Sequence, residues 1–336
     1  MNGAIPAFAP AGAAPWHGWT RTLMDVILHL GAHRTATTTF QHYVRDNLDV
    51  LGAGGVAFWG PQKVRKQVFP GLFRQTAAQK GRNVARRAEG RIRLLARTLQ
   101  RAGVTDLLVS DENLLGTPVG NLRTGLLYPA AGERTARVSA AFGGQVRRIV
   151  LTIRAQDLWW ASAAALTVAR GHPVPSGDRF EAIAASRRGW RDVITDLACA
   201  APGAEIEVMP FESLGGRPDV ILRVALARTA PPDRRQHWLN RSADLQSLRR
   251  TLAEEGADPD QLPDRTGRWQ PFTPDQQAML RETYADDLHW LVAGADGLAR
   301  LTEDTRLTRA DSSPPLGAAY KGQTDDTGQM ARPRQG

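Results

Sequence analysis

Nine consecutive residues, Gly31-Ala32-His33-Arg34-Thr35-Ala36-Thr37-Thr38-Thr39, collect the groups that hold an oxyanion. Thr is a poor choice inside a helix. At a helix N-terminus, however, the hydroxyls of Thr35, Thr37, Thr38 and Thr39 can donate to an anion beside the backbone N–H groups of the first turn. Arg34 adds a full positive charge at the same place. The apolar run of Val26, Ile27, Leu28 and Leu30, bounded by Gly31, predicts a strand buried on both faces. The segment therefore reads as strand, phosphate-binding turn and helix. No Gly-Lys pair follows Gly31 at the distance that the nucleotide-kinase loop requires, which argues against an ATP or GTP site.

The elements that must position this turn follow from hydrophobic spacing. Phe40, Val44, Leu48 and Leu51 recur at helical intervals and predict a helix over 37–51, after which 56–59 reads as a second strand closed by Gly60-Pro61. Strand, helix, strand in that order is a parallel βαβ unit with a right-handed crossover. A basic amphipathic helix is expected over 82–101, then strands at 106–110, 146–153 and 205–211. Further helices are expected over 155–170, 178–200, 217–229, 243–254 and 273–292, the last opened by Thr273-Pro274. Strands alternating with helices and the absence of an internal repeat predict one α/β domain over 23–304, a central parallel sheet flanked by helices. Residues 1–22, rich in Ala, Pro and Gly, read as a flexible leader, and 305–336 as a disordered tail.

The turn resembles the 5′-phosphosulfate loop of sulfotransferases that use 3′-phosphoadenosine 5′-phosphosulfate. The likeness is closest to bacterial members reading roughly Gly-x-x-Lys-Thr-Gly-Thr-Thr-x-x-Gln, with Arg34 here in place of Lys and Ala36 in place of the second Gly. The resemblance implies a P-loop NTPase-like sulfotransferase fold. It implies that Gly31, Ala32, His33, Arg34, Thr35, Ala36, Thr37 and Thr38 form the donor loop, with Arg34 at the bridging oxygen that leaves the sulfur. It also implies that an Arg ending a central strand and a Ser eight residues on grip the 3′-phosphate, and here these are Arg154 and Ser162. Strand 146–153 delivers Arg154 to the carboxyl edge of the sheet, where open α/β folds bind ligands, and two helical turns bring Ser162 to the same face. Phe211-Glu212, Asn240-Arg241-Ser242 and a closing helix with Tyr284 and Asp287 resemble the C-terminal layout of the same family.

Sulfuryl transfer needs an acceptor hydroxyl made nucleophilic, and Glu112, directly after strand 106–110, is the expected base. Asp111 is the neighbour that could replace it, followed by His33 and His42; His33, within the loop, could instead bind the sulfuryl oxygens. His29 is expected to point into the sheet. Arg holds its proton at pH 7, so the contribution of Arg34 is electrostatic. No metal is expected, because the seven His and the single Cys199 offer no ligand spacing.

The net charge of +9 and pI near 10.5 call for an anionic partner: nucleotide, acidic glycan, membrane surface or nucleic acid. Nearly all the positive charge is Arg, whose fork suits phosphate and sulfate. The lone cysteine excludes an internal disulfide and fits a reducing, cytoplasmic setting, and no apolar run approaches the roughly 20 residues of a spanning helix. The acceptor is expected to be a carbohydrate or small molecule, recognised by loops at 60–81, 114–145 and 171–179. Alternative readings are an inactive relative that binds nucleotide or glycan, a kinase dependent on Mg²⁺, and a nucleic-acid-binding protein using the helix over 82–101, although no nucleic-acid partner is expected.

Overall fold

The computed structural model describes residues 24–73, 82–233 and 242–302. The strands, in chain order, are β1 (Asp25–His29), β2 (Val56–Trp59), β3 (Asp106–Ser110), β4 (Val146–Ile153), β5 (Glu205–Pro210) and β6 (Arg300–Leu301). They form a single sheet in the order β2-β3-β1-β4-β5-β6, and every pairing is parallel. β1 is central because it is apolar on both faces. Val26 and Leu28 point to one side and Ile27 to the other, and each is at most 2% exposed.

The helices divide between these faces. Helices Thr37–Asp46 and Pro218–Leu226 cover the Ile27 side, through Phe40, Tyr43, Val44, Val220 and Ile221. Helices Arg82–Arg101, Ala131–Ala141, Gln156–Val168, Trp190–Ala200 and Pro274–Val292 cover the other. Parallel strands need such crossovers, so all the strand ends that follow β1, β3 and β4 emerge at one edge. The chain runs outward from β1 to β2, returns to β3 and then crosses to β4. The edge above β1 is therefore a topological switch point, the place where open α/β folds bind ligands.

Several sequence expectations change in detail. The helix expected over 37–51 breaks at Asn47 into Thr37–Asp46 and Leu48–Ala53, because the Asn47 side-chain amide donates to the Tyr43 carbonyl (2.8 Å) and competes with the helix. The helix expected over 178–200 is two, Gly177–Ala184 and Trp190–Ala200. Residues 114–145, read as loops, contain helices Pro118–Thr124 and Ala131–Ala141, and 61–68 forms helical turns. β6 lies outside every expected strand. The expected leader 1–22 and tail 305–336 lie outside the described residues. No helix among the described residues is long and apolar enough to cross a membrane.

The break before Trp190 has a cause in another element. Asp287, on helix Pro274–Val292, accepts hydrogen bonds from the backbone N–H groups of Trp190 (2.8 Å) and Arg191 (3.0 Å), satisfying donors that a helix start leaves open. Its carboxylate lies so close to Gly189 that a Cβ there would sit 2.7 Å from Oδ1. Gly189→Ala should therefore lower unfolding free energy by about 1–3 kcal/mol, because the cap must move and leave buried donors unpaired. Urea denaturation checks this, and an unchanged midpoint would show that the cap does not hold helix Trp190–Ala200.

Candidate anion-binding site at the carboxyl edge

The turn after β1 runs at the switch point and is built from strained backbone. Arg34 (φ +67°) and Ala36 (φ +58°) both adopt the left-handed conformation, which costs non-glycine residues about 1–2 kcal/mol each. Residues of alternating φ sign curl successive N–H groups around one point, the geometry of an anion-binding backbone nest. Helix Thr37–Asp46 begins directly afterwards, with Ala36 as an N-cap that supplies no side-chain acceptor. A Cβ at Gly31 would lie 3.0 Å from His29 Nε2 and 3.1 Å from Thr37 Oγ1, so a side chain there would press on both neighbours.

Threonine hydroxyls tie this turn internally. Thr35 Oγ1 donates to the Ala32 carbonyl (2.6 Å), and Thr37 Oγ1 lies 3.2 Å from the carbonyls of both Gly31 and Ala32. Thr38 is half-buried on the first turn. His33 is the main anchor. Its backbone N–H donates to the Tyr128 hydroxyl (2.9 Å), its Nδ1 lies 2.8 Å from the same hydroxyl, and its Nε2 lies 2.9 Å from Asn113 Oδ1. The Asn113 oxygen accepts only, so Nε2 carries the proton and Tyr128 donates to Nδ1. Burial brings the His33 pKa down to about 4, so the imidazole is neutral at pH 7. With both nitrogens bonded inside the protein, His33 organises the turn. His42 is exposed on the adjoining helix, and His29 lies in the sheet against Ser110 Oγ (2.8 Å) with its pKa brought down to about 3 by burial.

Two indoles hold the backbone from below. Trp159 Nε1 donates to the His33 carbonyl (2.7 Å) and Trp190 Nε1 donates to the Arg154 carbonyl (2.8 Å), while Tyr128, Trp159 and Trp190 pack against one another. The residues that follow β1 and β4 are thus fixed to one aromatic cluster. Glu212 adds a further tie. It accepts from the Ala155 N–H (2.8 Å) and from the Tyr284 hydroxyl (2.8 Å).

Arg34, Arg154 and Ser162 come together here, and Ser242 joins them. Arg34 Nε donates to Ser162 Oγ and its NH2 group to Ser242 Oγ, both at 2.9 Å, and the two hydroxyls are 2.7 Å apart. The Arg34 side chain therefore reaches toward the Arg154 and Ser162 side of the site. Arg154 donates from NH1 to the Arg34 carbonyl (3.0 Å) and lies over the Phe211 ring, 4.8 Å from its centre. Its buried Nε has no hydrogen-bond partner among the described residues. Burial lowers the proton affinity of Arg154 most, Glu212 opposes it, and the charges of Arg268 and Arg34 lower it further, to about 10. Arg34 is lowered by burial and by the charges of Arg170 and Arg268. Among the described residues, neither Arg34 nor Arg154 has a carboxylate at salt-bridge distance.

Glu112 stands at the same edge, in the turn Glu112–Leu114. Its Oε1 accepts from Arg65 (2.9 Å) and its Oε2 from Gln41 (3.1 Å). Burial pushes its carboxyl up, but the charges of His33 and Arg65 outweigh burial and leave it below its ordinary value. A neutral His33 contributes nothing, so at neutral pH Arg65 is the main cause. Asp111 is buried, is gripped by Arg65 through both oxygens, and accepts from the Asn113 N–H, which makes it a cap. Sequence reasoning missed Tyr128, Trp190, Arg65 and the role of Gln41, whose partners lie 36 to 95 residues away.

A cavity of about 380 Å³, lined by Met24, Arg93, Arg97 and Phe142 among others, opens at the opposite edge of the sheet, where β1 and β4 begin. Arg86, Arg87, Arg93, Arg97 and Arg101 of the basic helix are exposed, while Arg91 turns to the carbonyls of Val68 and Pro70. Among the described residues, no group of three or more His, Cys, Asp or Glu is placed to hold a metal ion. Comparison of the chain with models of protein families, with curated proteins and with solved structures finds no match.

The buried histidines give the fold an acid limit. His33 in the unfolded chain takes a proton near 6.5, and in the folded chain only near 4. Between these values the unfolded state binds more protons, so stability is full above about 6.5 and falls as pH drops toward 4. His29 extends the fall to about 3. Urea unfolding at pH 7 and pH 4.5 should show a loss of a few kcal/mol that is smaller in His33→Asn. An equal loss in parent and variant would remove His33 as the cause.

Proposed function

We propose that this chain is a sulfotransferase of P-loop NTPase-like fold, working in the cytoplasm. It moves a sulfuryl group from 3′-phosphoadenosine 5′-phosphosulfate to a hydroxyl, or an amine, of a carbohydrate or small molecule. One observation carries the reading. The Thr-rich turn after the central strand meets Arg154 and Ser162 at one sheet edge, and among the described residues neither guanidinium group there has a carboxylate at salt-bridge distance. Burying cations without a directly paired counter-charge is unfavourable, and an anionic ligand supplies that pairing.

In the proposed reaction the acceptor oxygen attacks sulfur, and an O–S bond forms as the S–O bond to the 5′-phosphate breaks. The electron pair goes to the phosphate oxygen, giving 3′-phosphoadenosine 5′-phosphate, and the acceptor proton goes to Glu112. Backbone N–H groups of the turn and the N-terminus of helix Thr37–Asp46 stabilise the leaving phosphate. Glu112 is suited to accept a proton because Arg65 keeps it ionised at neutral pH. The same pairing weakens it as a base. That pairing, together with the direction of Arg34, favours a second reading, a relative that binds the nucleotide and turns over slowly. Single-turnover transfer of labelled sulfate separates the two.

Two outcomes are expected. At equal concentration, 3′-phosphoadenosine 5′-phosphate should raise the melting temperature and ATP should not, since Arg154 and Ser162 select a phosphate that ATP lacks. Arg154→Ala, which removes charge-assisted contacts worth about 1.5–3 kcal/mol, should weaken binding by roughly tenfold or more. Equal stabilisation by both nucleotides would sink the assignment. Glu112→Gln should leave nucleotide stabilisation intact and lower turnover by about 10²–10⁴-fold. Turnover at the parental rate would remove Glu112 from the chemistry.

A further inference from the structure

Arg34 is the residue whose position departs most from its expected role. A cation for the leaving oxygen would lie over the turn that holds the 5′-phosphate. Instead its guanidinium spans two hydroxyls from distant parts of the chain, Ser162 on helix Gln156–Val168 and Ser242 just before helix Leu245–Glu254. Its carbonyl meanwhile accepts from Arg154, so backbone and side chain of one residue bind both members of the Arg154 and Ser162 pair.

Counting donors shows what fits between them. A guanidinium has five N–H groups and no acceptor. Arg34 uses two and Arg154 one, which leaves seven unspent among the described residues, one of them the buried Nε of Arg154. The two serines share one hydrogen bond, so one hydroxyl proton is also left. The cluster is rich in donors and carries two positive charges, with Arg170 and Arg268 close enough to lower the proton affinity of Arg34 further. A phosphomonoester, with three acceptor oxygens and nearly two negative charges at pH 7, matches this set. A carboxylate supplies one charge and two oxygens and would leave part of it unmatched.

We propose that Arg34 and Ser242 complete, with Arg154 and Ser162, a four-residue clamp for a phosphomonoester. Arg34 then selects the donor nucleotide by its 3′-phosphate and does not stabilise the oxygen that leaves sulfur. The identity of the nucleotide rests on the sulfotransferase reading; the clamp itself rests on the geometry above.

The test compares 3′-phosphoadenosine 5′-phosphate with adenosine 5′-phosphate, which lacks the 3′-phosphate, and with inorganic phosphate. Affinities are read by thermal shift and calorimetry on the parent, Arg34→Gln, Arg34→Lys and Ser242→Ala. Arg34→Gln should weaken the bisphosphate about tenfold or more and leave adenosine 5′-phosphate unchanged. Arg34→Lys, which keeps the charge but loses the fork, and Ser242→Ala should fall between parent and Arg34→Gln. If Arg34→Gln weakens both nucleotides alike, Arg34 reads the shared 5′-phosphate, and the clamp is overturned while the nucleotide reading stands. If neither nucleotide binds the parent but inorganic phosphate binds in an Arg34-dependent way, the clamp stands and the nucleotide reading falls. No response to any of the three overturns both. Variants whose circular dichroism departs from the parent are replaced in the comparison by Ser242→Ala, a truncation by one oxygen.

Discussion

Two guanidinium groups held largely out of water, with no carboxylate at salt-bridge distance among the described residues, set the terms for the rest of the molecule. Arg34 and Arg154 disfavour each other's charge, and Arg268 adds to the repulsion on both. Such a cluster persists only if the surrounding structure fixes it. The aromatic layer beneath does this, because Trp159 and Trp190 each spend an indole N–H on the carbonyl of a loop residue, and Tyr128 holds His33 from two directions. Buried aromatics with satisfied polar ends combine large apolar contact with fixed orientation. The stability of the core is thereby coupled to the geometry of the site.

The strain of the turn follows from the same constraint. A left-handed Arg34 and Ala36 cost free energy, and a Gly at 36 would avoid part of that cost. The conformation survives because both sides of the turn are tied, through the Thr35 and Thr37 hydroxyls and through His33. Strained backbone of this kind gathers where N–H groups must point at a ligand. Through Asn113 the imidazole of His33 also ties the turn to the residue beside Glu112, and burial keeps that imidazole neutral.

Much of the sheet was legible because parallel strands buried on both faces leave continuous apolar runs, as at 26–28, 107–109 and 149–151, and because Gly31 and Thr37 punctuate the first turn. Helix Ala131–Ala141 was not, because its buried face is mostly small, Ala131, Thr135, Val138 and Ser139, and gives no strong apolar period. Thr117-Pro118 and Gly125 carried a usable cap signal for the helix preceding it. In the site, Arg154 and Ser162 could be paired by spacing within one strand and helix. Tyr128, Trp190 and Arg65 could not, since their partners are fixed by the packing of distant elements and no local pattern encodes them. The direction of the Arg34 side chain depends on its left-handed φ and on Ser242, 208 residues away, and neither can be read from the turn itself.

Determination of a crystal structure with 3′-phosphoadenosine 5′-phosphate bound addresses the central claim most directly, because it locates both phosphates at once. The account predicts one phosphate within hydrogen-bond distance of Arg154, Ser162 and Arg34, and the other against the backbone N–H groups of the turn that leads into helix Thr37–Asp46. A nucleotide that binds elsewhere, or that leaves Arg154 Nε without an acceptor, would contradict it.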